Sequence, residues 1–383
     1  MSTEILATPF KLLHTSDWHL GRGFPGFGNR GDTRLAHARF QAVDRILGAA
    51  EAHGVNAVLC AGDVFHEATP SEEVWRKLVD QLRKRQWSNR VLVLLPGMHD
   101  PLVQGSPYSR GHPFRRALPS WVHVVDRERF ELQLGDRATL HAVPCQAQAS
   151  EQDPTELLPD REEGDQGLRI GLVHGRAEGL AGYETNFPVS REAADRLGFD
   201  YIALGDAHDR VVLNPDSPAP MVYSGTPELT SFGEQSAGTV SVVMFVRAGR
   251  KPQIQEERVS RWIWREEECL SLEDLRRLCR DPNLAKSVIT LRLAFGASLV
   301  DYVEVESLLE MLEGTKTRPG KAGVIKLDST GLTLTTSAGD FAADLPEVLQ
   351  GVVQRLKVAE GATQGKVATR ALLHLFRILR QGT

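Results

Sequence analysis

Cysteine, aromatic residues and long apolar runs are all scarce in this chain of 383 residues. The cysteines, Cys60, Cys145, Cys269 and Cys279, show no CxxC spacing, which argues against a thiolate metal cluster and predicts reduced, structural thiols. No apolar run could cross a bilayer, and the start, MSTEILATPFK, lacks a signal-peptide pattern, so we expect a cytoplasmic protein without a membrane partner. A large excess of either charge is also missing. The net charge of −5 argues against broad nonspecific nucleic-acid binding but leaves room for a local basic groove.

What the sequence does contain is a set of short segments in which Asp or His directly follows an apolar run. Each run has the length of a buried strand, and ligands of α/β proteins collect at the carboxyl ends of such strands. One segment alone would be better explained by helix caps or solvated side chains, but their repetition predicts a shared metal site. The segments are Asp17-Trp18-His19, Gly62-Asp63, Gly97-Met98-His99-Asp100, His174-Gly175 and Gly205-Asp206-Ala207-His208.

The order of these segments resembles the series DxH, GD, GNH(D/E), H and GHxH of the calcineurin-like metallophosphoesterases. HTSDWHLG at 14–21, AGDVFHEATPS at 61–71 and YSGTPELTSFGE at 223–234 are similar to segments of the SbcD nuclease subunits, which act in DNA double-strand-break repair. The resemblance covers residues 10–245 and implies the α/β metallophosphoesterase fold, a two-layered β-sandwich flanked by helices. It also implies a metal-dependent DNA nuclease, an exonuclease or endonuclease, that works as a subunit of an SbcCD-like complex.

The resemblance assigns two metal ions to these side chains. Asp63 would bridge both ions, because one carboxylate can offer an oxygen to each. The other ligands would be Asp17, His19 and His208 for the first ion and His174 and Asp206 for the second. Mixed carboxylate and imidazole ligation suits Mn²⁺ or Fe²⁺ better than Ca²⁺ or structural Zn²⁺. The resemblance favours Mn²⁺, with Fe²⁺ or Mg²⁺ less favoured.

Two positions depart from the family pattern, and both belong to the second ion. Met98 stands where Asn is expected, and a neutral thioether is a poor ligand for Mn²⁺. Asp206 stands where His is expected, and its carboxylate can still bind a metal. We expect a second site that forms but binds weakly; an empty second site is the alternative.

His99 and Asp100 are the candidate catalytic residues. The resemblance places His99 beside the scissile phosphate or the leaving oxygen, with Asp100 orienting its imidazole, and an imidazole that titrates near neutrality suits proton transfer. A structural histidine is the alternative. We expect His66, which replaces the usual Asp, at the surface; a residue that supports the metal ligands is the alternative. Arg22 and Arg30, in the glycine-rich loop after the first segment, are candidates for contacts with DNA phosphates or are simply solvated arginines.

The pattern of elements divides the chain into a first domain over 1–247, a small α+β domain over 256–340 and C-terminal helices over 345–383. The resemblance implies that the first is the nuclease domain and the second a capping domain that helps to shape the DNA cleft. A packing domain without substrate contact is the alternative for the second region. We expect a long loop over 101–120 and a solvated acidic insert over 150–166. The remaining expected elements are helices over 33–53, 71–86, 272–279 and 303–312, strands near 121–126, 130–134, 138–145, 168–173, 200–204, 221–224, 238–246 and 288–293, and a hairpin over 324–335.

Apolar residues recur at helical spacing over 345–359 and again over 368–380, which predicts two amphipathic helices. In the SbcD family such a pair grips the coiled-coil base of an SMC-type ATPase, SbcC, so the resemblance implies an SbcC-like partner. Folding back onto the small domain is the alternative, and the sequence leaves a homodimer open. Two other functions are alternatives to the DNA nuclease: a phosphodiesterase for small nucleotides, and a catalytically impaired subunit that binds DNA ends.

Overall fold

The computed structural model describes residues 9–180, 186–314, 320–335 and 347–360, and seven further positions. These further positions are Val367, Ala368, Ala371, Leu372, His374, Leu375 and Ile378. The chain divides into two compact units, Met1–Arg261 and Trp262–Thr383.

The first unit contains two six-stranded sheets and the helices that cover them. The helices are α1 (Gly28–Ala52), α2 (Glu72–Arg83), α3 (Pro113–Ala117) and α4 (Ala193–Leu197). The strands are β1 (Phe10–Thr15), β2 (Ala57–Cys60), β3 (Val91–Leu94), β4 (Val122–Val124), β5 (Phe130–Leu134), β6 (Ala138–Val143), β7 (Leu168–His174), β8 (Arg176–Ala177), β9 (Pro188–Val189), β10 (Tyr201–Gly205), β11 (Val211–Leu213), β12 (Met221–Tyr223), β13 (Thr239–Phe245) and β14 (Gln253–Arg258). The strand order is β14-β13-β1-β2-β3-β4 in the first sheet and β11-β12-β10-β7-β6-β5 in the second.

The two sheets pack face to face, which explains why their central strands are apolar on both sides. In β1, Leu12 lies in the core between the sheets, together with Ile170 of the second sheet. Its neighbour Leu13 points the other way, into the core under α1 and α2. On the far side of the second sheet, Ile202 packs against α4. The expected two-layered sandwich flanked by helices is therefore confirmed.

The first unit extends past residue 247, where we expected its end. The reason is β14, which pairs with β13 and adds an edge strand to the first sheet. The helix expected over 33–53 is present as α1, but it begins at Gly28, so Arg30 lies in a helix and not in a loop. Ser71 precedes α2 as expected, although its side chain makes no capping hydrogen bond.

Two expected loops contain more structure than their composition indicated. Residues 101–120 include the short helix α3. The acidic insert over 150–166 is not wholly solvated, because a 3₁₀ turn at Pro154–Leu157 buries Pro154 and Thr155.

The second unit contains an α+β fold. Its helices are α5 (Leu272–Cys279), α6 (Leu299–Glu313) and α7 (Glu347–Glu360), and its strands are β15 (Ile263–Cys269), β16 (Ser287–Leu293), β17 (Gly296–Ala297), β18 (Val324–Asp328) and β19 (Thr333–Leu334). The hairpin expected over 324–335 is wrong, because β18 pairs in parallel with β16 and β19 pairs with β17. Ile325 and Leu327 of β18 pack into the core formed with α5 and α6, and this burial favours the parallel pairing.

The helix expected over 345–359 is present as α7, of which residues 347–360 are described. The described residues between Val367 and Ile378 are helical, and the rest of the second expected helix, over 368–380, lies outside the described residues. Val353 and Leu372 are buried against Leu299 of α6. Part of the C-terminal segment thus packs on the small α+β unit, as the fold-back alternative expects.

The cysteines are buried free thiols, as expected. Within the described part of the chain, we find no helix with the length and apolar character that crossing a membrane requires.

Candidate metal centre

The segments after β1, β2, β7 and β10 meet at one place. The backbone N of Asp17 donates to the carbonyl of Gly62 at 3.0 Å, which joins the first two segments. The backbone N of Asp206 donates to Asp17 Oδ2 at 3.2 Å, which joins the two sheets. This is the convergence that the sequence predicts.

Two glycines allow the loops to approach this closely. A Cβ atom at Gly97 would lie 2.2 Å from Asp63 Oδ1, and one at Gly62 would lie 2.2 Å from Nδ1 of His174. Gly62 also has a φ of +96°, a conformation that other residues rarely adopt. A side chain at either position would displace a candidate ligand.

Asp17, His19 and His208 form one group whose ligand atoms all lie within 4.8 Å of one another. Nε2 of His19 lies 3.1 Å from Nε2 of His208 and 4.0 Å from Asp17 Oδ1. Burial, assisted by the neighbouring His208, holds the pKa of His19 well below its ordinary value. The ring is therefore neutral, as a metal ligand must be.

Asp17, Asp63 and His174 form a second group at the same spacing. Asp63 Oδ2 lies 3.6 Å from Nε2 of His174 and 3.8 Å from Nε2 of His19, so this carboxylate faces both groups. Burial alone would lower the pKa of His174, but Asp63 and Asp17 outweigh it and raise this pKa to about 9. A metal ion that binds here must therefore displace a proton from His174.

Three imidazoles are oriented through their Nδ1 atoms. The acceptors are Glu234 Oε1 for His208 at 2.7 Å, the carbonyl of Ala61 for His174 at 2.7 Å and the carbonyl of His66 for His99 at 3.1 Å. Because these oxygens only accept, each Nδ1 carries a proton and each Nε2 is directed to the centre. Glu234 was not among the expected site residues; its place at the end of YSGTPELTSFGE was the available signal.

His66 lies in the centre and not at the surface, which corrects our expectation. Its ring stacks on that of His99, with centroids 5.0 Å apart, and its Nδ1 lies 3.5 Å from Nδ1 of His19. These three histidines form a further group of candidate ligands. His99 is fixed by its backbone N, which donates to Asp63 Oδ1 at 2.9 Å.

Asp100 does not orient the imidazole of His99, contrary to the expectation. Its carboxylate accepts from the backbone N of Gly97 at 2.9 Å and of Phe65 at 2.8 Å, and from the hydroxyl of Tyr108. These bonds join the loop after β2 to the loop after β3. Asp100 therefore supports the loop that carries His99.

The two departures from the family pattern are both close to the centre. Met98 is half-buried, and its sulfur lies 3.6 Å from the amide nitrogen of Asn186. The carboxylate of Asp206 lies 2.6 Å from Nε of Arg176, a partner that the sequence did not predict. Metal binding by Asp206 stays a prediction.

The two candidate arginines differ in position. The backbone N of Arg22 donates to the carbonyl of His19 at 3.1 Å, which places Arg22 beside the centre. Arg30 is exposed in the first turn of α1. Contact with a phosphate stays a prediction for both.

A family model described as calcineurin-like phosphoesterase matches residues 10–210 of the 383. The matched range runs from β1 past β10 and includes all the candidate ligands.

Relatives with curated names are similar over parts of the chain. A Bacillus subtilis (strain 168) protein named uncharacterized metallophosphoesterase YhaO is 28% identical over 228 residues, which cover 57% of this chain and 53% of that protein. The SbcD subunit of the SbcCD nuclease of Escherichia coli (strain K12) is 36% identical over 97 residues, 24% of this chain and 22% of the relative. The SbcD subunit of Bacillus subtilis (strain 168) is 23% identical over 285 residues, 64% of this chain and 68% of the relative. The chain thus spans about half the length of the first relative and less of the second.

Proposed function

The chain belongs to the calcineurin-like phosphoesterase family, and we propose that it is a metal-dependent nuclease that hydrolyses phosphodiester bonds in DNA. The carboxylate of Asp63 carries this proposal. Its Oδ2 lies within 4.0 Å of Nε2 of His19, His99 and His174, with Asp17 beside it. The choice of DNA is supported by the SbcD-like segments and by the similarity to the SbcD subunits of the SbcCD nuclease.

The residues present fit divalent metal ions. Asp17 Oδ1 and Nε2 of His174 are buried and make no hydrogen bond within the described structure. Leaving such atoms unpaired is costly, and a cation would satisfy both. We propose Asp17, His19, Asp63 and His208 for the first ion and Asp63, His174 and Asp206 for the second. A set of carboxylates and imidazoles without thiolate favours Mn²⁺, with Fe²⁺ or Mg²⁺ as weaker candidates.

Bound cations would supply positive charge to the phosphate oxygens and make water a nucleophile near neutral pH. The chain's own residues position the substrate. His99 is 42% exposed in its side chain, so it can reach a bound phosphate while its Nδ1 stays on the carbonyl of His66. We propose that Nε2 of His99 contacts the scissile phosphate or the leaving oxygen. Arg22 beside the centre is the nearer of the two candidate arginines for a DNA phosphate.

Replacing Asp63 with Asn tests the centre. We expect Mn²⁺-dependent cleavage of linear DNA to fall by several orders of magnitude, because both ligand groups face this carboxylate. The matched control is Asp136→Asn at an exposed aspartate, which should cut DNA at the parental rate. Cleavage by a folded Asp63→Asn protein at that same rate would show that the centre is assigned wrongly.

The same assay separates the two alternative functions, of which the impaired subunit is the one that Met98 at the second ion position supports. Hydrolysis of a chromogenic phosphodiester without cleavage of DNA would favour a phosphodiesterase for small nucleotides. Binding of DNA ends with neither activity would favour an impaired subunit. Rapid, Mn²⁺-dependent cleavage of DNA is the outcome that we expect.

We also propose that the chain works with an SbcC-like, SMC-type ATPase. The support is the similarity to SbcD subunits of the SbcCD nuclease and the apolar side chains that the C-terminal helices expose. Residues 1–261 would then carry the nuclease centre, and the small α+β unit would shape access to DNA.

A further inference from the structure

Asp206 differs from the other candidate ligands because its carboxylate is engaged by an arginine. Asp206 Oδ2 lies 2.6 Å from Nε of Arg176, so the two opposite charges form a close ion pair, although the N–H group is not aligned for a hydrogen bond. The side chains of Arg176 and Asp206 are only 6% and 12% exposed. Attraction between charges at this distance is strong where water is largely excluded.

The position of Arg176 is fixed by its neighbours in the chain. The hydroxyl of Tyr223 donates to the carbonyl of Gly175 at 2.7 Å and accepts from the backbone N of Ala177 at 2.7 Å. The backbone N of Arg176 itself donates to the carbonyl of Phe187 at 3.0 Å. Moving the guanidinium away from Asp206 therefore depends on its side-chain torsions alone.

The two ligand groups are consequently unequal. Around the first group, Asp17, His19 and His208 are joined by the shared carboxylate of Asp63. The second group has Asp17, Asp63 and His174. The further side chains near it are Met98, a neutral thioether, and Asp206, whose carboxylate is paired with Arg176. The charge of Arg176 would also repel a cation that approached Asp206.

We propose that Arg176 competes with the metal for the carboxylate of Asp206, so that the chain loads one ion tightly and the second, which needs Asp206 as a ligand, much more weakly. The inference rests on the metal centre of the proposed function, but not on DNA as the substrate. The chain would therefore hold a single ion when the metal is scarce and a pair only at high metal concentration.

Calorimetric titration of the full, metal-stripped chain with Mn²⁺ measures this directly, without any substrate. We expect one tight site and a second that is at least about tenfold weaker, the scale on which groups around ligands alter metal affinity. Electron paramagnetic resonance should show an isolated Mn²⁺ at one equivalent and a coupled pair only in excess metal. Two equally tight ions in the parent chain would overturn the proposal.

Arg176→Gln should strengthen the second ion by about tenfold, because it frees the Asp206 carboxylate and removes the opposing charge. Adding Asp206→Asn to that variant should abolish the gain. Arg191→Gln, at an exposed arginine of the same unit, should change neither affinity. An unchanged second affinity in folded Arg176→Gln would contradict the proposal. If that variant does not fold, the parent titration still tests the unequal loading, and Asp206→Asn in the parent chain tests the cause: it should change the second affinity little, because Arg176 already competes for that carboxylate, and a large loss would contradict the proposal.

The outcomes separate this inference from the proposed function. Failure to cut DNA would leave the unequal loading untouched, since the titration contains no DNA. A parent chain that binds no Mn²⁺ at all would contradict both the centre and the unequal loading.

Discussion

Asp17, His19 and Asp63 have φ values of 54°, 43° and 54°, a region that residues with a Cβ rarely adopt. Each such conformation costs about 1–3 kcal/mol and persists only where the surrounding structure holds it. For Asp17 the holding contact is visible, because its carbonyl accepts from the hydroxyl of Thr226 at 2.8 Å. These conformations lower the stability of the fold, and they direct the three side chains to one point.

Met98→Asn should strengthen the binding of the second ion. An amide oxygen is a better Mn²⁺ ligand than a thioether, and we expect a gain of about tenfold in affinity and higher activity at low Mn²⁺. Calorimetric titration of the two proteins measures the gain. Met98→Leu, which offers no ligand, is the control and should match the parent. Equal affinity and stoichiometry in Met98→Asn would show that residue 98 only packs against its neighbours.

The candidate ligands could be predicted because each stands next to a strand end, which is a local pattern. The partners of those ligands could not. Arg176 lies in β8 and Asp206 follows β10, and whether that carboxylate faces a metal or a guanidinium depends on their distance in the folded chain. His66 directly follows the apolar pair Val64-Phe65, and this local sequence does not show which way its ring points; in the folded chain it stacks on His99.

At the scale of elements, helix α1 connects two loops of the centre through one side chain. The guanidinium of Arg39 is buried and donates to the carbonyl of Trp18 at 2.8 Å, in the loop after β1. It also donates to the carbonyl of Glu228 at 2.7 Å, in the loop that carries Glu234 and so supports His208. Arg39 is therefore a positioning residue for ligands on both sheets.

Arg39→Met should lower the affinity for Mn²⁺ by about 10- to 100-fold, the usual effect of losing a group that orients ligands. The thermal midpoint should also fall, because buried carbonyls lose their donors. The affinity is measured on the folded fraction at a temperature where the variant is intact. Arg85→Met is the control: its guanidinium pairs with Asp44 and Glu51 of α1 and contacts neither loop, so its loss should affect stability without weakening Mn²⁺ binding. If Arg39→Met bound Mn²⁺ with the affinity of the parent, Arg39 would contribute to stability only and not to the position of the ligands.

The strand pairings that the sequence did not predict are those that leave no local apolar pattern. β14, with the sequence QIQEER, is an edge strand whose side chains are mostly exposed, so it needs no apolar alternation to pair with β13. β18 looked like one arm of a hairpin because a turn follows it, but its parallel pairing with β16 is nonlocal. The central strands were recognisable because burial on both faces imposes continuous apolar runs.

At the scale of the whole chain, the C-terminal helices have two apolar faces with different surroundings. One face is covered, since Val353 and Leu372 pack on Leu299 within the second unit. The other face exposes Val358 by 78% and Ile378 by 66%. Val352 and Val367 are exposed as well, and several exposed aliphatic side chains in one segment, unlike a single one, indicate a surface that a partner covers. Fold-back and partner binding are thus compatible, because they use different residues.

The exposed face gives a sharper test of the ATPase partner than removal of the segment. A chain ending at Asp344 would also uncover Leu299, so loss of binding could follow from unfolding. The double variant Val358→Asp and Ile378→Asp changes only exposed positions and should keep Mn²⁺-dependent hydrolysis of a chromogenic phosphodiester. We expect co-purification with an SbcC-like ATPase to fall by about tenfold or more, because a charge placed in an apolar interface is strongly unfavourable. Leu270→Asp, at an exposed leucine of the same unit, is the control and should bind the ATPase like the parent. Undiminished complex formation by the double variant would show that this face is not where the ATPase binds.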